Sequence, residues 1–210
     1  IIVNTASVYG MNDVTHLGLY DIAMMSNIPN LVYLAPTFKE EYFAMLDWSI
    51  EQSKYPVAIR VPCNGMISKN EQVDKDYSNL NKYKVVKNGS DVAIIALGDF
   101  FDIGENVSEE LSKKYGVNAT LINPRYITGL DEELLRDLKN NHKLVITLED
   151  GILEGGFGEK IARFYGLDDI KVKNYGIKKS FPDRYDVKEL LNENGISIDR
   201  IVSDIMKVIK

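Results

Sequence analysis

The sequence predicts an α/β protein of mainly parallel sheets covered by helices, and three observations predict it. Short apolar runs rich in β-branched residues alternate with segments of helical periodicity along the chain. The helical segments are mostly ten or more residues long, which suits crossovers between parallel strands. Several strand runs, such as Asp91 to Leu97, are apolar almost throughout rather than alternating, as strands buried on both faces should be.

Ile1, Ile2 and Val3 read as a buried strand already under way, which predicts that this is a piece of a longer polypeptide. A loop over 4–16 leads to a helix over 19–26, broken by Asn27-Ile28-Pro29-Asn30. The run 31–35 is short, apolar and bounded by turn residues, hence a strand. Thr37 and Glu40 have the spacing of a capping box, and Phe38, Tyr42, Met45, Leu46 and Ile50 recur at helical intervals behind it. A strand over 56–61 follows.

Between Cys63 and Lys82 apolar periodicity disappears among Asn64-Gly65, Ser68-Lys69-Asn70-Glu71 and Ser78-Asn79, which predicts a linker. Beyond it strands are expected over 83–86, 91–97, 119–122, 143–148 and 171–174. Helices are expected over 102–115, 131–140, 156–165, 187–192 and 198–209. The division that follows is 1–65, a linker over 66–82, and 83–210.

A length of 210 residues with 45% hydrophobic and 27% charged content suits one large or two small domains with their own cores, and excludes disorder. The formal net charge of -6, spread along the chain, argues against nucleic acid and anionic membranes and for small molecules or proteins as partners. A single cysteine, Cys63, excludes an internal disulfide framework and fits a reducing, cytoplasmic compartment. No apolar run has the length of a membrane span.

The run Thr15-His16-Leu17-Gly18-Leu19-Tyr20-Asp21, then Ile28-Pro29-Asn30, Ala35-Pro36 and Ala58-Ile59-Arg60-Val61-Pro62, resembles the pyrimidine-binding domain of deoxyxylulose-phosphate synthases. These enzymes belong to the thiamine-diphosphate-dependent transketolase superfamily. Asp91 to Gly98, Asn123-Pro124-Arg125-Tyr126-Ile127, Thr147-Leu148-Glu149-Asp150 and Gly155-Gly156-Phe157-Gly158 are similar, in order, to the superfamily's C-terminal domain. The resemblance implies that 1–65 is the end of a pyrimidine-binding domain and 83–210 a transketolase C-terminal domain. It also implies a homodimer that condenses pyruvate with an aldehyde such as glyceraldehyde 3-phosphate, using thiamine diphosphate and Mg²⁺. The family's Gly-Asp-Gly motif and Asn for the metal and diphosphate have no counterpart here, since Gly98-Asp99-Phe100 lacks the second glycine. The family's ylid-forming glutamate precedes the segment that aligns with Ile1. No cofactor or metal ligand is therefore expected in this chain, which should be inactive alone. The β subunits of 2-oxo-acid dehydrogenases share this half of the arrangement, so a separately encoded or non-catalytic subunit is the rival reading, beside a paralogue with another acceptor.

His16 is the catalytic candidate, because a loop imidazole can exchange a proton near neutral pH with a carbonyl or alkoxide; the bland reading is a histidine bonded to backbone. The resemblance implies that the matching histidine lines the active site. Three substrate-facing positions depart from the family: Thr5 and Cys63 stand where it has phosphate-binding arginines, and Asn12 where it has an aspartate. Two lost charge-assisted contacts, at about 1.5–3 kcal/mol each, weaken any phosphorylated acceptor. Arg60, inside an apolar strand, is expected in a structural ion pair. Cys63 is expected as a partly buried thiol, His142 on the surface, and Glu149 and Asp150 as solvated loop or interface residues. The glycines at 155, 156 and 158 are expected to bring a helix close to the sheet rather than to cradle phosphate.

Overall fold

The computed structural model describes residues 1–10 and 13–210. The first sheet contains β1 (Ile2–Ala6), β2 (Val32–Leu34) and β3 (Val57–Pro62), all parallel in the order β1-β3-β2. Helices α1 (Asp21–Met25) and α2 (Lys39–Glu51) connect them. The opening run is an edge strand rather than a buried one: among the described residues β1 pairs with β3 alone, and Ile1 is 75% and Ile2 40% exposed.

The second sheet has the order β4-β6-β5-β7-β8, from β4 (Lys84–Lys87), β5 (Asp91–Ala96), β6 (Thr120–Asn123), β7 (His142–Ile152) and β8 (Lys171–Ile177). Only β4 runs antiparallel, against β6. Helices α3 (Phe101–Tyr115), α4 (Glu132–Leu138), α5 (Phe157–Phe164), α6 (Val187–Glu193) and α7 (Ile198–Ile209) complete the fold. Strand periodicity divides β5 between two cores. Val92, Ile94 and Ala96 join Val107, Leu111, Ile201 and Ile205 under α3 and α7. Ala93, Ile95 and Leu97 meet Ile22, Tyr33 and Ala58, so the opposite face of the second sheet packs on the first.

Local chemistry fixes the elements. Gly116 ends α3 in the left-handed region at φ 68, with Gly116 N donating to Ser112 O at 3.0 Å and Val117 N to Leu111 O at 3.2 Å. The expected capping box is displaced by one residue. The Glu41 carboxylate, not Glu40, accepts from Thr37 N at 2.9 Å and Thr37 Oγ1 at 3.0 Å, because the helix starts after Phe38. Glu40 instead accepts from Ser68 Oγ and from the amides of Lys69 and Asn70.

Residues 66–82 carry no helix or strand, yet they are strapped across both sheets. Tyr77 is buried under Trp48, its carbonyl accepts from Tyr126 Oη at 2.8 Å, and Asp74 pairs with Arg125 at 2.7 Å. The chain after β6 also runs beside β2, with Ala35 N donating to Arg125 O and Ile127 N to Tyr33 O. His142 is half-buried rather than on the surface: Nε2 lies 2.8 Å from Thr120 Oγ1 and Nδ1 2.9 Å from Leu138 O, because β7 begins one residue earlier than its apolar run. Burial holds its imidazole below the usual histidine range.

Candidate functional site

The carboxyl ends of parallel strands from both sheets converge, which is where open α/β sheets place ligands. The chain leaves β1 through Thr5 (φ 65) and Ser7 (φ 78), left-handed positions that a β-branched or hydroxyl residue rarely adopts. Ser7 N then donates to Gly18 O at 3.0 Å, closing the loop that bears His16. A side chain at residue 18 would put its Cβ 1.9 Å from Thr5 O, so only glycine permits this return.

His16 is exposed at the tip. Its Nδ1 lies 2.7 Å from Thr15 Oγ1 and 3.3 Å from Asp13 Oδ1. Asp13 Oδ1 also accepts from Thr15 N at 3.0 Å and from the Thr15 hydroxyl. The Thr15 hydroxyl and amide, then His16, hold the Asp13 carboxyl down to about 2. Tyr9 Oη donates to the His16 carbonyl, and Val14 N to Asp183 Oδ1 at 3.3 Å, which fastens the loop to the segment before α6. Asn12 lies outside the described residues.

Thr5 and Cys63 are brought together. Ala6 pairs with Pro62, and Cys63 N donates to Ala6 O at 3.0 Å, so both residues sit at the same rim of neighbouring strands. The thiol is exposed rather than partly buried, because Cys63 falls in the turn closed by Gly65 N donating to Pro62 O at 3.1 Å.

Below the rim lies a buried ionic cluster. Arg60, 2% exposed, donates from Nε to Asp21 Oδ2 at 2.6 Å and from Nη2 to Asp21 Oδ1 at 3.2 Å. Its Nη1 pairs with Asp150 Oδ2, while Nη2 also reaches Asp150 O at 3.1 Å and Gly18 O at 3.2 Å. Burial opposes the guanidinium charge, but Asp150 and Asp21 outweigh it and hold the group above its usual range. Tyr33 Oη donates to Asp21 Oδ2. Asp99, in the turn after β5, accepts from Ser7 Oγ at 2.6 Å. Burial first, then the Asp150 charge, pushes Asp99 up to about 6. Asp150 Oδ1 is buried without a hydrogen-bond partner.

Glu149 and Asp150 are therefore buried, not solvated. Glu149 caps α5, accepting from Phe157 N at 2.7 Å and Gly158 N at 2.8 Å, and burial pushes it up to about 7. Its carboxylate fills the helix N-terminus that a phosphate would need. A Cβ at Gly156 would meet it at 2.4 Å, so the glycines serve close packing.

Sequence reasoning anticipated the ion pair of Arg60 but not its partners. An arginine in an apolar strand signals that carboxylates face it, yet Asp21 lies 39 and Asp150 90 residues away. Asp13 was not among the residues singled out in the sequence; the signal that could have found it is its spacing of three from His16. The acidic groups here do not fit a metal bound to a diphosphate. Arg60, Ser7 and backbone amides occupy oxygens of all four carboxyls, and among the described residues no three His, Cys, Asp or Glu cluster as a metal would require. No helix among the described residues is long and apolar enough to cross a membrane.

Comparison with known proteins gives the lineage. A 1-deoxy-D-xylulose-5-phosphate synthase of Geobacillus sp. is 30% identical over 99% of this chain and 33% of its own length. That of Clostridium tetani is 31% identical over 98% of this chain and 33% of its length. The chain thus spans about a third of these relatives. Among solved structures, a split-gene transketolase, described as an inactive β4 tetramer, superimposes with a TM-score of 0.78 at 24% identity, over 93% of this chain and 63% of that one. A transketolase mutant of Pichia stipitis superimposes at 0.73 and 12% identity, over 99% and 29%. Residues 81–201 match the family "Transketolase, C-terminal domain", and the chain belongs to that family.

Proposed function

We propose that this chain is the part of a thiamine-diphosphate-dependent transferase, of the 1-deoxy-D-xylulose-5-phosphate synthase kind, that supplies the end of the pyrimidine-binding domain (1–65), a linker (66–82) and the C-terminal domain (83–210). The single observation that carries it is similarity along 98–99% of the chain, in one order, to synthases named for that reaction. The assembled enzyme, a homodimer, condenses pyruvate with an aldehyde and releases CO₂. Thiamine diphosphate supplies the carbanion chemistry when bound, and its metal and diphosphate ligands come from polypeptide other than these residues. This chain contributes His16, whose imidazole exchanges a proton with the carbonyl or alkoxide oxygen of the substrate.

Thiamine diphosphate with Mg²⁺ should raise the melting temperature of the assembled enzyme and leave that of this chain unchanged, since a ligand stabilises only what it binds. Substitution His16→Gln should lower kcat/KM of the assembled enzyme with pyruvate and aldehyde by about 10²-fold or more. An unchanged rate would overturn the role of His16.

A second reading has its own observation. Thr5 and Cys63 place two neutral side chains at the rim where the resemblance calls for arginines, so the acceptor is an unphosphorylated aldehyde and the enzyme a paralogue. Turnover with glyceraldehyde 3-phosphate well above that with glyceraldehyde would sink it.

A further inference from the structure

We infer that Asp13 and Thr15 are positioning residues that hold the neutral imidazole of His16 in its Nδ1–H tautomer, so that Nε2 is the basic nitrogen presented at the mouth of the site. The Asp13 carboxyl, held near 2, has only lone pairs to offer above that pH. The one hydroxyl proton of Thr15 is directed at Asp13 Oδ1, so toward the ring Thr15 Oγ1 also presents a lone pair. Nδ1, 2.7 Å from that oxygen and 3.3 Å from Asp13 Oδ1, faces acceptors on both sides and must carry the hydrogen. Were Nδ1 unprotonated, three sets of lone pairs would converge with no proton between them and the ring.

The backbone makes this arrangement local and rigid. Thr15 N donates to Asp13 Oδ1 at 3.0 Å, His16 N to Asp13 O at 3.0 Å, and the His16 carbonyl is held by Tyr9 Oη. The relay spans three of the four residues from 13 to 16, so it needs no contact from outside the loop. No partner of Nε2 is found among the described residues, which leaves it free for substrate. The tautomer stands on the contacts at Nδ1 together with an ionised Asp13; that the exposed nitrogen then accepts or returns a substrate proton rests on the proposed function above.

Two-bond ¹H–¹⁵N correlation spectra of the ¹⁵N-labelled chain at a pH of about 8, where histidine is neutral, read the tautomer directly. His142 is the internal reference, because its Nδ1 points at the Leu138 carbonyl, which can only accept. The expected result is a dominant Nδ1–H form for His16, lost to the Nε2–H form in Asp13→Ala, which frees the Thr15 hydroxyl to donate to Nδ1, and in Thr15→Val, and retained in Thr15→Ser. A dominant Nε2–H form in the native chain overturns the inference, as does a tautomer that neither substitution moves. The His142 signal shows in each variant that the fold is intact. If the Nδ1–H form is found but His16→Gln leaves turnover of the assembled enzyme intact, the orientation stands and the proton-transfer reading falls.

Discussion

Arg60 and Asp150 form a buried ion pair between the two sheets, although 90 residues separate them in sequence. Asp150 is completely buried and Arg60 nearly so, so the pair is sheltered from solvent screening. Two of the contacts that hold the His16 loop converge on Gly18 O, one from Arg60 Nη2 and one from Ser7 N. The pair thus ties the loop that bears His16 to the same point at which it ties the sheets.

Removing the cation leaves Asp21 and Asp150 buried without their counter-charge, which costs about 3–5 kcal/mol. Arg60→Met should lower the unfolding free energy of the chain by that amount in a urea titration, with the m value unchanged. A loss under about 1 kcal/mol would show that the pair contributes as little as an exposed one.

Asp99 predicts how stability follows pH. Its folded value, about 6, stands above the ordinary 3.8, so the native state binds a proton more tightly than the unfolded chain does. The stabilisation is complete below about pH 4 and is lost as pH rises through about 6, with no further change from this group above. Facing it are Asp150 from β7 and Asp102 from α3, which favour the proton, and Arg60 from β3 and the Ser7 hydroxyl, which oppose it. Glu149, raised to about 7, extends the fall toward neutrality. Asp99→Asn should remove the part of the slope between about pH 4 and 6, worth on the order of 3 kcal/mol. An unaltered melting-temperature profile in the variant would show that Asp99 titrates normally.

Two residues before Glu149 in β7, close packing makes a sharper demand. A Cβ on Gly158 would stand 2.5 Å from Thr147 Oγ1 and 2.8 Å from Asn174 Cγ, between α5 and two neighbouring strands. Gly158→Ala therefore has to push α5 off the sheet, and its expected cost is about 1–3 kcal/mol in chemical denaturation despite alanine's better helix propensity. Gly65→Ala meets nothing within 4 Å but sits at φ 78, so its smaller loss isolates backbone strain from overpacking.

These residues also mark what the sequence could reveal. Ile94 and Ile95 declare a doubly buried strand by their own apolarity, and Gly116 declares the end of α3, because each signal is local. The cost of burying Arg60 is equally local, but its remedy is not: Asp21 and Asp150 reach it through a crossover and a second sheet, and nothing in their own neighbourhoods points inward. Glu149 read as solvated because acidic residues at strand ends usually are; only the approach of α5, eight residues on, supplies the amides that bury it. Asp13 and His16 lie within one loop, and their spacing was legible, but its meaning depended on which way the Thr15 hydroxyl turns.

The rim residues test the acceptor proposed above. Thr5 and Cys63 flank the paired Ala6 and Pro62 on neighbouring strands, both are exposed, and neither offers a cation. Arginine at residue 5 is no harder to accommodate than threonine, since a β-branched side chain is the worse tenant of φ 65. The double substitution Thr5→Arg with Cys63→Arg should then leave the fold unchanged and create two charge-assisted contacts for a phosphate. At about 1.5–3 kcal/mol each, these favour a phosphorylated over an unphosphorylated aldehyde by about 10²-fold or more in kcat/KM of the assembled enzyme. A gain confined to kcat with both acceptors would show that the rim does not face the phosphate end of the acceptor. Before any kinetics, Cys63 can report on the geometry: in the native chain it should react with a thiol reagent at the rate of a free thiol and in full stoichiometry without denaturant, since a turn position at the strand end gives it no cover.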